Sequence, residues 1–256
     1  SNYMLMQIGF TYAYELSQKF SIGLAPTFNY SALELAPNPL ASPNMEKGYP
    51  VADNASALGF GGQVGVFYNS GMGIKLGASY KTEQRFKEFE FENTYLDGSA
   101  APGVNFKMNY PSIISVGLGY SKKAIDFALD YRYVDYKNTE GFEASGWTQT
   151  ASVAGFGWKS MSIISAGLQY KGLDKFPLRV GYTYSSNPID EKLAFFSTPA
   201  TAIIKHGFQL GFGVEFNQRL TLNAVYHHGT SGGATRGMLL SPMMISESNK
   251  YGAING

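Results

Sequence analysis

The chain has 256 residues, 44% of them hydrophobic and only 15% charged, with 18 Tyr, 18 Phe, 30 Gly and no Cys. Charged residues make up about 25% of an ordinary soluble domain, so a water-coated surface fits this composition poorly. A net charge of +1 excludes a nucleic-acid footprint on the chain as a whole. No long apolar run exists to make a transmembrane helix, and without cysteine there are neither disulfides nor thiolate metal sites. Residues 1–16 lack the basic start and small-residue cleavage site of a secretory leader.

Taken in order, period-2 alternation predicts ten strands: 3–16, 20–33, 57–69, 73–91, 112–121, 124–136, 161–171, 177–186, 206–217 and 220–229. They pair off around short turns at Ser17-Gln18-Lys19, Asn69 to Met72, Lys122-Lys123, Gly172 to Lys175 and Asn217 to Arg219. These turns recur roughly every 50 residues, so each hairpin reads as one repeat. Long connections at 34–56, 92–111, 137–160 and 187–205 hold the prolines and small polar residues, as in "APNPLASPN", "LDGSAAPG" and "NPIDEK".

Sorting each strand by parity separates two faces. One holds Met6, Ile8, Phe10, Leu24, Phe28, Val64, Val66, Leu118, Leu168, Val180, Leu210 and Phe212. The other holds Gln7, Thr11, Gln63, Lys75, Ser79, Lys81, Glu83, Arg85, Asp126, Asp130, Arg132, Gln169, Arg179, Gln209 and Asn223. A soluble sandwich would also show one dry face per strand. However, the aromatic residues segregate to the strand ends. Tyr14, Tyr68, Tyr120, Tyr170 and Phe216 precede the short turns, and Tyr30, Tyr80, Tyr131, Tyr133, Tyr182, Tyr184 and Tyr226 stand at the opposite ends. Two aromatic rows flanking an aliphatic band are the girdles of a membrane barrel. The expected fold is therefore all-β, a transmembrane antiparallel up-and-down β-barrel in the bacterial outer membrane, with short turns in the periplasm and long loops outside.

By this orientation the first strand starts outside and the last ends outside. Because such barrels keep both termini in the periplasm, an odd number of strands is expected to be missing at each end. Residues 1–256 then form a fragment of a single barrel domain.

The segment "PLRVGYTYSSNPIDEKLAFFSTPATAIIKHGFQLGFGVEFNQRLTLNAVYHH", residues 177–228, resembles the FadL/TodX family of outer-membrane transporters of long-chain fatty acids and other hydrophobic compounds. Segments 57–80 and 112–136 fit the same pattern. The resemblance implies a 14-stranded barrel with an N-terminal plug, so that about ten strands are present, with three missing before and one after. It also implies passive uptake: capture by apolar loops, a lumen pocket above the plug, and lateral release through the wall. The plug and the wall-opening strand would fall outside this chain.

Two connections are unusually apolar for water-facing segments: "LAFFSTPATAII", 193–204, and "GMLLSPMMIS", 237–246. Contiguous exposed apolar surface marks binding sites, and Met-rich surfaces adapt to varied ligands. Leu193, Phe195, Phe196, Ile203, Met238, Leu239, Met243 and Met244 are thus expected to contact a hydrophobic small molecule or fatty acid. The competing reading has the loops packing on one another to close the barrel. Trp147, with Phe156 and Trp158, is a further candidate for the patch. Lumen charges are expected to pair across strands or hold the plug; Arg132 is the candidate for binding a fatty-acid carboxylate instead.

Catalysis fits poorly. His227 and His228 point to opposite faces of one strand and cannot chelate one metal, and no Ser–His arrangement or phosphate loop stands out. No metal, cofactor or nucleic acid is expected, and the partners are outer-membrane lipid and the cargo of a monomer. A diffusion porin for small polar solutes is the alternative, and a soluble β-repeat such as a propeller is the third.

Overall fold

The computed structural model describes residues 2–143, 146–191, 203–217, 220–231, 234–238 and 251–255. In chain order the strands are β1 Asn2–Gly9, β2 Tyr12–Glu15, β3 Phe20–Leu35, β4 Val51–Asn69, β5 Ile74–Lys81 and β6 Arg85–Phe86. There follow β7 Phe89–Thr94, β8 Ala100–Phe106, β9 Ile113–Lys122, β10 Ile125–Val134, β11 Gly146–Trp147 and β12 Val153–Gly155. The last are β13 Met161–Tyr170, β14 Leu178–Ser185, β15 His206–Asn217, β16 Leu220–Thr230, β17 Ala234–Met238 and β18 Tyr251–Asn255. Among the described residues no helix is long and apolar enough to cross a membrane.

Ten of these strands form one antiparallel meander in the order β1-β3-β4-β5-β9-β10-β13-β14-β15-β16, each beside its sequence neighbour on that path. Each corresponds to one of the ten predicted strands, though β4 starts earlier, at Val51, and β5 ends earlier, at Lys81. The sheet is not closed: β1 with β2 forms one edge and β16 the other. β1 and β2 are one strand with a single break, since Gly9↔Thr27 and Tyr12↔Leu24 keep the same register. Phe10 donates its N–H to the Pro26 carbonyl at 3.2 Å. Pro26 has no N–H to return, so the ladder loses one bond there.

The turns are built from their own residues. In the β4–β5 turn Ser70 Oγ accepts from the amides of Met72 and Ile74, both at 3.1 Å. Gly73 adopts φ 102 there, and a Cβ on it would run into the Ser121 carbonyl. Glycine alone meets both conditions.

The apolar set of side chains covers the outside of the sheet. Ile22, Leu24, Phe28, Val64, Val66, Leu76, Ile114, Leu168, Val180 and Leu210 are all exposed. An apolar surface of that extent is stable only against lipid. Both aromatic rows lie on this face; Phe20 and Tyr68 meet across β3 and β4 with ring centroids 4.7 Å apart. The buried core lies on the concave side, toward the long-loop end.

Four expectations change. Segment 73–91 is not one strand: β5 stops at Lys81 and β6 resumes at Arg85. The pairs Gln63↔Lys81 and Gly59↔Phe86 show one extra residue on this arm, a β-bulge. A one-residue slip turns the side chains that follow it to the other face, here over residues 84–87. Gln84 and Phe86 therefore point inward and are buried, while Arg85, expected in the lumen, points outward and is exposed. The 92–111 connection contains β8, which pairs with β7 and extends the wall beyond the apolar band. The 137–160 connection contains the small β11–β12 pair. β17 and β18 pair with each other where apolar loop was expected, with Met238 opposite Tyr251.

Candidate transport site

Three layers succeed one another on the concave face, from the long-loop end to the short-turn end. The first is apolar. In β7 the run Phe89-Glu90-Phe91-Glu92 alternates, which buries both phenylalanines and leaves both glutamates outside. Phe86, Phe89 and Phe91 line up with centroids 6.1 and 6.4 Å apart. Beside them Phe142 centres a second ring group, 4.9 Å from Tyr136, 5.1 Å from Trp158 and 5.9 Å from Phe156. These are edge and tilted contacts, the geometry that aromatic quadrupoles favour. Burial holds the Tyr136 phenol well above its ordinary pKa, so it stays neutral within this layer.

The second layer is a polar knot on Gln84, which is fully buried. Its Oε1 accepts from Thr27 Oγ1 at 2.5 Å, Asn29 Nδ2 at 2.8 Å and Gln7 Nε2 at 3.1 Å. Its Nε2 donates to the Thr82 carbonyl at 2.7 Å. Lys81 Nζ donates to Gln7 Oε1 at 2.9 Å and stands 5.1 Å from the Tyr110 ring centroid. The bulge aims Gln84 at β4, β3 and β1, and glycines at 59 and 61 leave room for it and for Phe86.

Below the knot the lumen wall is small and mostly neutral. A cavity of about 530 Å³ lies against it, bounded by Ala13, Gly23, Gly65, Gly77, Ser79 and Ser115. At the short-turn end Asp126 and Arg179 are paired. Lys171 Nζ meets Asp126 Oδ1 at 2.9 Å, and Gln169 Nε2 meets Asp126 Oδ2 at 2.9 Å. Arg179 donates to Gln169 Oε1 at 2.5 Å and to Asn223 Oδ1 at 2.8 Å. Pairing across strands was the expectation for Asp126 and Arg179.

Arg132 sits on the inner face of β10 beside Ser115 and is exposed. It has no hydrogen bond or ion pair among the described residues, and it lies within Coulomb range of Lys81. Of the other candidates, Ile203 is half-buried just before β15. Trp147 lies in β11 and Met238 ends β17. Leu193, Phe195, Phe196, Leu239, Met243 and Met244 lie outside the described residues. Gln84 and the buried phenylalanines of β6 and β7 were not singled out in the sequence. The signal that could have found them is "GFGGQ" at 59–63, where glycine at alternate positions marks a close approach on one face. Among the described residues no group of His, Cys, Asp and Glu could hold a metal.

The comparisons with known proteins agree on family and fold. The sequence profile described as "Outer membrane protein transport protein (OMPP1/FadL/TodX)" matches residues 3–234. No curated protein matches significantly. The Pseudomonas putida toluene transporter TodX superposes with a TM-score of 0.58 at 17% identity, covering 87% of this chain and 63% of its own. A Pseudomonas aeruginosa FadL homologue gives 0.64 at 13% identity, covering 92% and 62%. The Ralstonia pickettii toluene transporter TbuX gives 0.59 at 14% identity, covering 88% and 62%. The chain thus spans less than two thirds of the length of these solved structures.

Proposed function

Because the chain belongs to the OMPP1/FadL/TodX family of outer-membrane transport proteins, we propose that it conducts hydrophobic small molecules passively into the cell. The observation that carries this reading is the apolar layer. Phe86, Phe89, Phe91 and Phe142 are turned inward at the long-loop end, where a channel for polar solutes would have water-binding groups. These rings pack on one another and exclude water, so apolar cargo entering at this end leaves water for surroundings of the same apolar character. It then meets the knot on Gln84, which offers it no favourable contact, so cargo dwells above the knot.

Aromatic hydrocarbons are the cargo class the ring geometry suits best. Two of the structural neighbours are themselves described as toluene transporters. Capture by Leu193, Phe195, Phe196, Ile203, Met238, Leu239, Met243 and Met244, with Trp147, is the entry step in this reading. A fatty acid is the second reading, favoured by one observation: Arg132 and Lys81 present two cations to the lumen without a carboxylate partner among the described residues. No cofactor or catalytic step takes part.

The test is reconstitution into liposomes. Uptake of labelled toluene with no swelling response to sugars is the expected result; sugar-driven swelling without toluene uptake would establish the porin alternative. Arg132→Glu is expected to leave toluene uptake intact. If it selectively abolishes uptake of a labelled fatty acid, the second reading is correct.

A further inference from the structure

The bulge that buries Gln84 also presents Arg85 and Lys87 to the membrane side of the wall. Arg85 lies opposite Phe60 in the β4–β6 pairing, and the Lys87 amide donates to the Leu58 carbonyl at 2.9 Å. Arg85, Lys87, Phe60 and Leu58 are all exposed, the two apolar side chains at 64% and 62%. Both cations therefore stand on the lipid-facing surface at the long-loop edge of its apolar band. Alternation puts them on one face about 6.6 Å apart along the strand, close enough to share one anion.

Neither is spent on a strong ion pair. Arg85 Nε is 4.0 Å from Glu83 Oε2, and Lys87 has no carboxylate partner among the described residues. The remaining acids of this surface, Glu34, Asp53, Glu88, Glu90 and Glu92, are exposed and lie further along the strands, away from the apolar band. The order outward from the lipid core is thus apolar, cationic, acidic.

We propose that Arg85 and Lys87 form a binding site for the phosphate headgroup of a membrane lipid, with its acyl chains lying against Phe60, Leu58 and Phe28. Cations at this depth attract anionic headgroups, and the adjoining apolar surface makes the tail part of the ligand. The outlying acids face water rather than the headgroup layer.

The test uses the purified protein in maltoside micelles, with lipid retention read by native mass spectrometry. The probes are phosphatidic acid, phosphatidylcholine and inorganic phosphate. Phosphatidic acid is expected to be retained over phosphatidylcholine, and inorganic phosphate is expected to compete weakly. The double variant Arg85→Gln with Lys87→Gln should lose about 30-fold in phosphatidic acid affinity with phosphatidylcholine unchanged. Arg85→Lys with Lys87→Arg should retain binding, which separates lost charge from misfolding. Wild-type affinity in the double Gln variant would overturn the site. So would loss in the charge-conserving variant, equal retention of both lipids, or inorganic phosphate displacing the lipid at equal concentration.

Discussion

Gln84 lies flat across Gly61, so close that a Cβ at position 61 would collide with its amide. This pairing joins the fold to the site. One extra residue in the arm after β5 turns Gln84 inward, and a bare strip of β4 receives it. Three donors from β1 and β3 then converge on one carbonyl oxygen. The boundary between apolar layer and lumen is set by a register slip with a glycine beneath it.

The first prediction concerns that strip. A Cβ on Gly59 would stand 2.7 Å from Phe86 Cδ1 and 2.8 Å from the Arg85 carbonyl oxygen. The latter is backbone and has little freedom to yield. Gly59→Ala should cost about 1–3 kcal/mol, as overpacking does. Gly61→Ala should cost at least as much, because the Gln84 amide it displaces is fully buried and fixed by four hydrogen bonds. Denaturant unfolding from lipid vesicles checks the order. In a double-mutant cycle, Gly61→Ala should become nearly neutral once Gln84→Ala is present.

A second prediction tests the knot itself. Gln84→Leu preserves bulk and removes the acceptor, leaving Thr27 Oγ1 and Asn29 Nδ2 buried without it. Orphaned buried donors cost about 1–3 kcal/mol each, so this variant should be less stable than its size suggests. Thr27→Val in the same background should recover part of the loss. Failure to recover, measured by the same unfolding assay, would show that the knot contributes little.

How much of this was legible depends on whether a residue obeys a local rule. The hairpins around Ser17, Asn69 and Lys123 were legible because alternation stops there and resumes in phase. The outward placing of Leu24, Val66 and Leu210 followed from parity alone. Arg85 broke the rule: parity counted from Lys81 puts it in the lumen, and nothing local announces the inserted residue at 82–84. The donors that converge on Gln84 Oε1 lie 55 to 77 positions away in sequence. β7 returns to the phase counted from Lys81, because Phe86 and Phe89, three residues apart, are both buried and a second slip between them cancels the first. The Pro26 break was visible as a residue, but its consequence depends on which amide lies opposite.

The third prediction concerns pH outside the membrane. Lys47 Nζ meets Asp97 Oδ2 at 2.8 Å, and Ser99 donates its hydroxyl and amide to Asp97 Oδ1 at 2.6 and 3.0 Å. The hydrogen bond from Lys47 first, then those from Ser99, hold the Asp97 carboxyl well below its ordinary 3.8. A depressed folded-state pKa means the contribution is complete above 3.8 and fades only as pH falls through the lowered value. The contact between residues 44–48 and 95–99 should therefore persist through mild acid and open below the usual carboxylate range. Amide exchange at Gly98 and Ser99 reports it, and Asp97→Asn should abolish the pH dependence. Salt should weaken the pair, since both groups are exposed.

The fourth prediction joins packing to transport. Phe142 is nearly buried and touches Tyr136, Phe156 and Trp158. Phe142→Ala should destabilise by about 3–5 kcal/mol and leave a ring-sized void in the apolar layer. If cargo dwells in that layer, the void enlarges its seat, and uptake should shift toward bulkier aromatic compounds relative to toluene. A layer serving only to brace the wall would slow or leave unchanged the uptake of all cargo sizes alike. Phe142→Leu, which keeps most of the packing, should fall between wild type and Phe142→Ala in both stability and size preference. Parallel uptake assays with toluene and a two-ring aromatic, normalised to the amount of folded protein in the liposomes, distinguish the two outcomes.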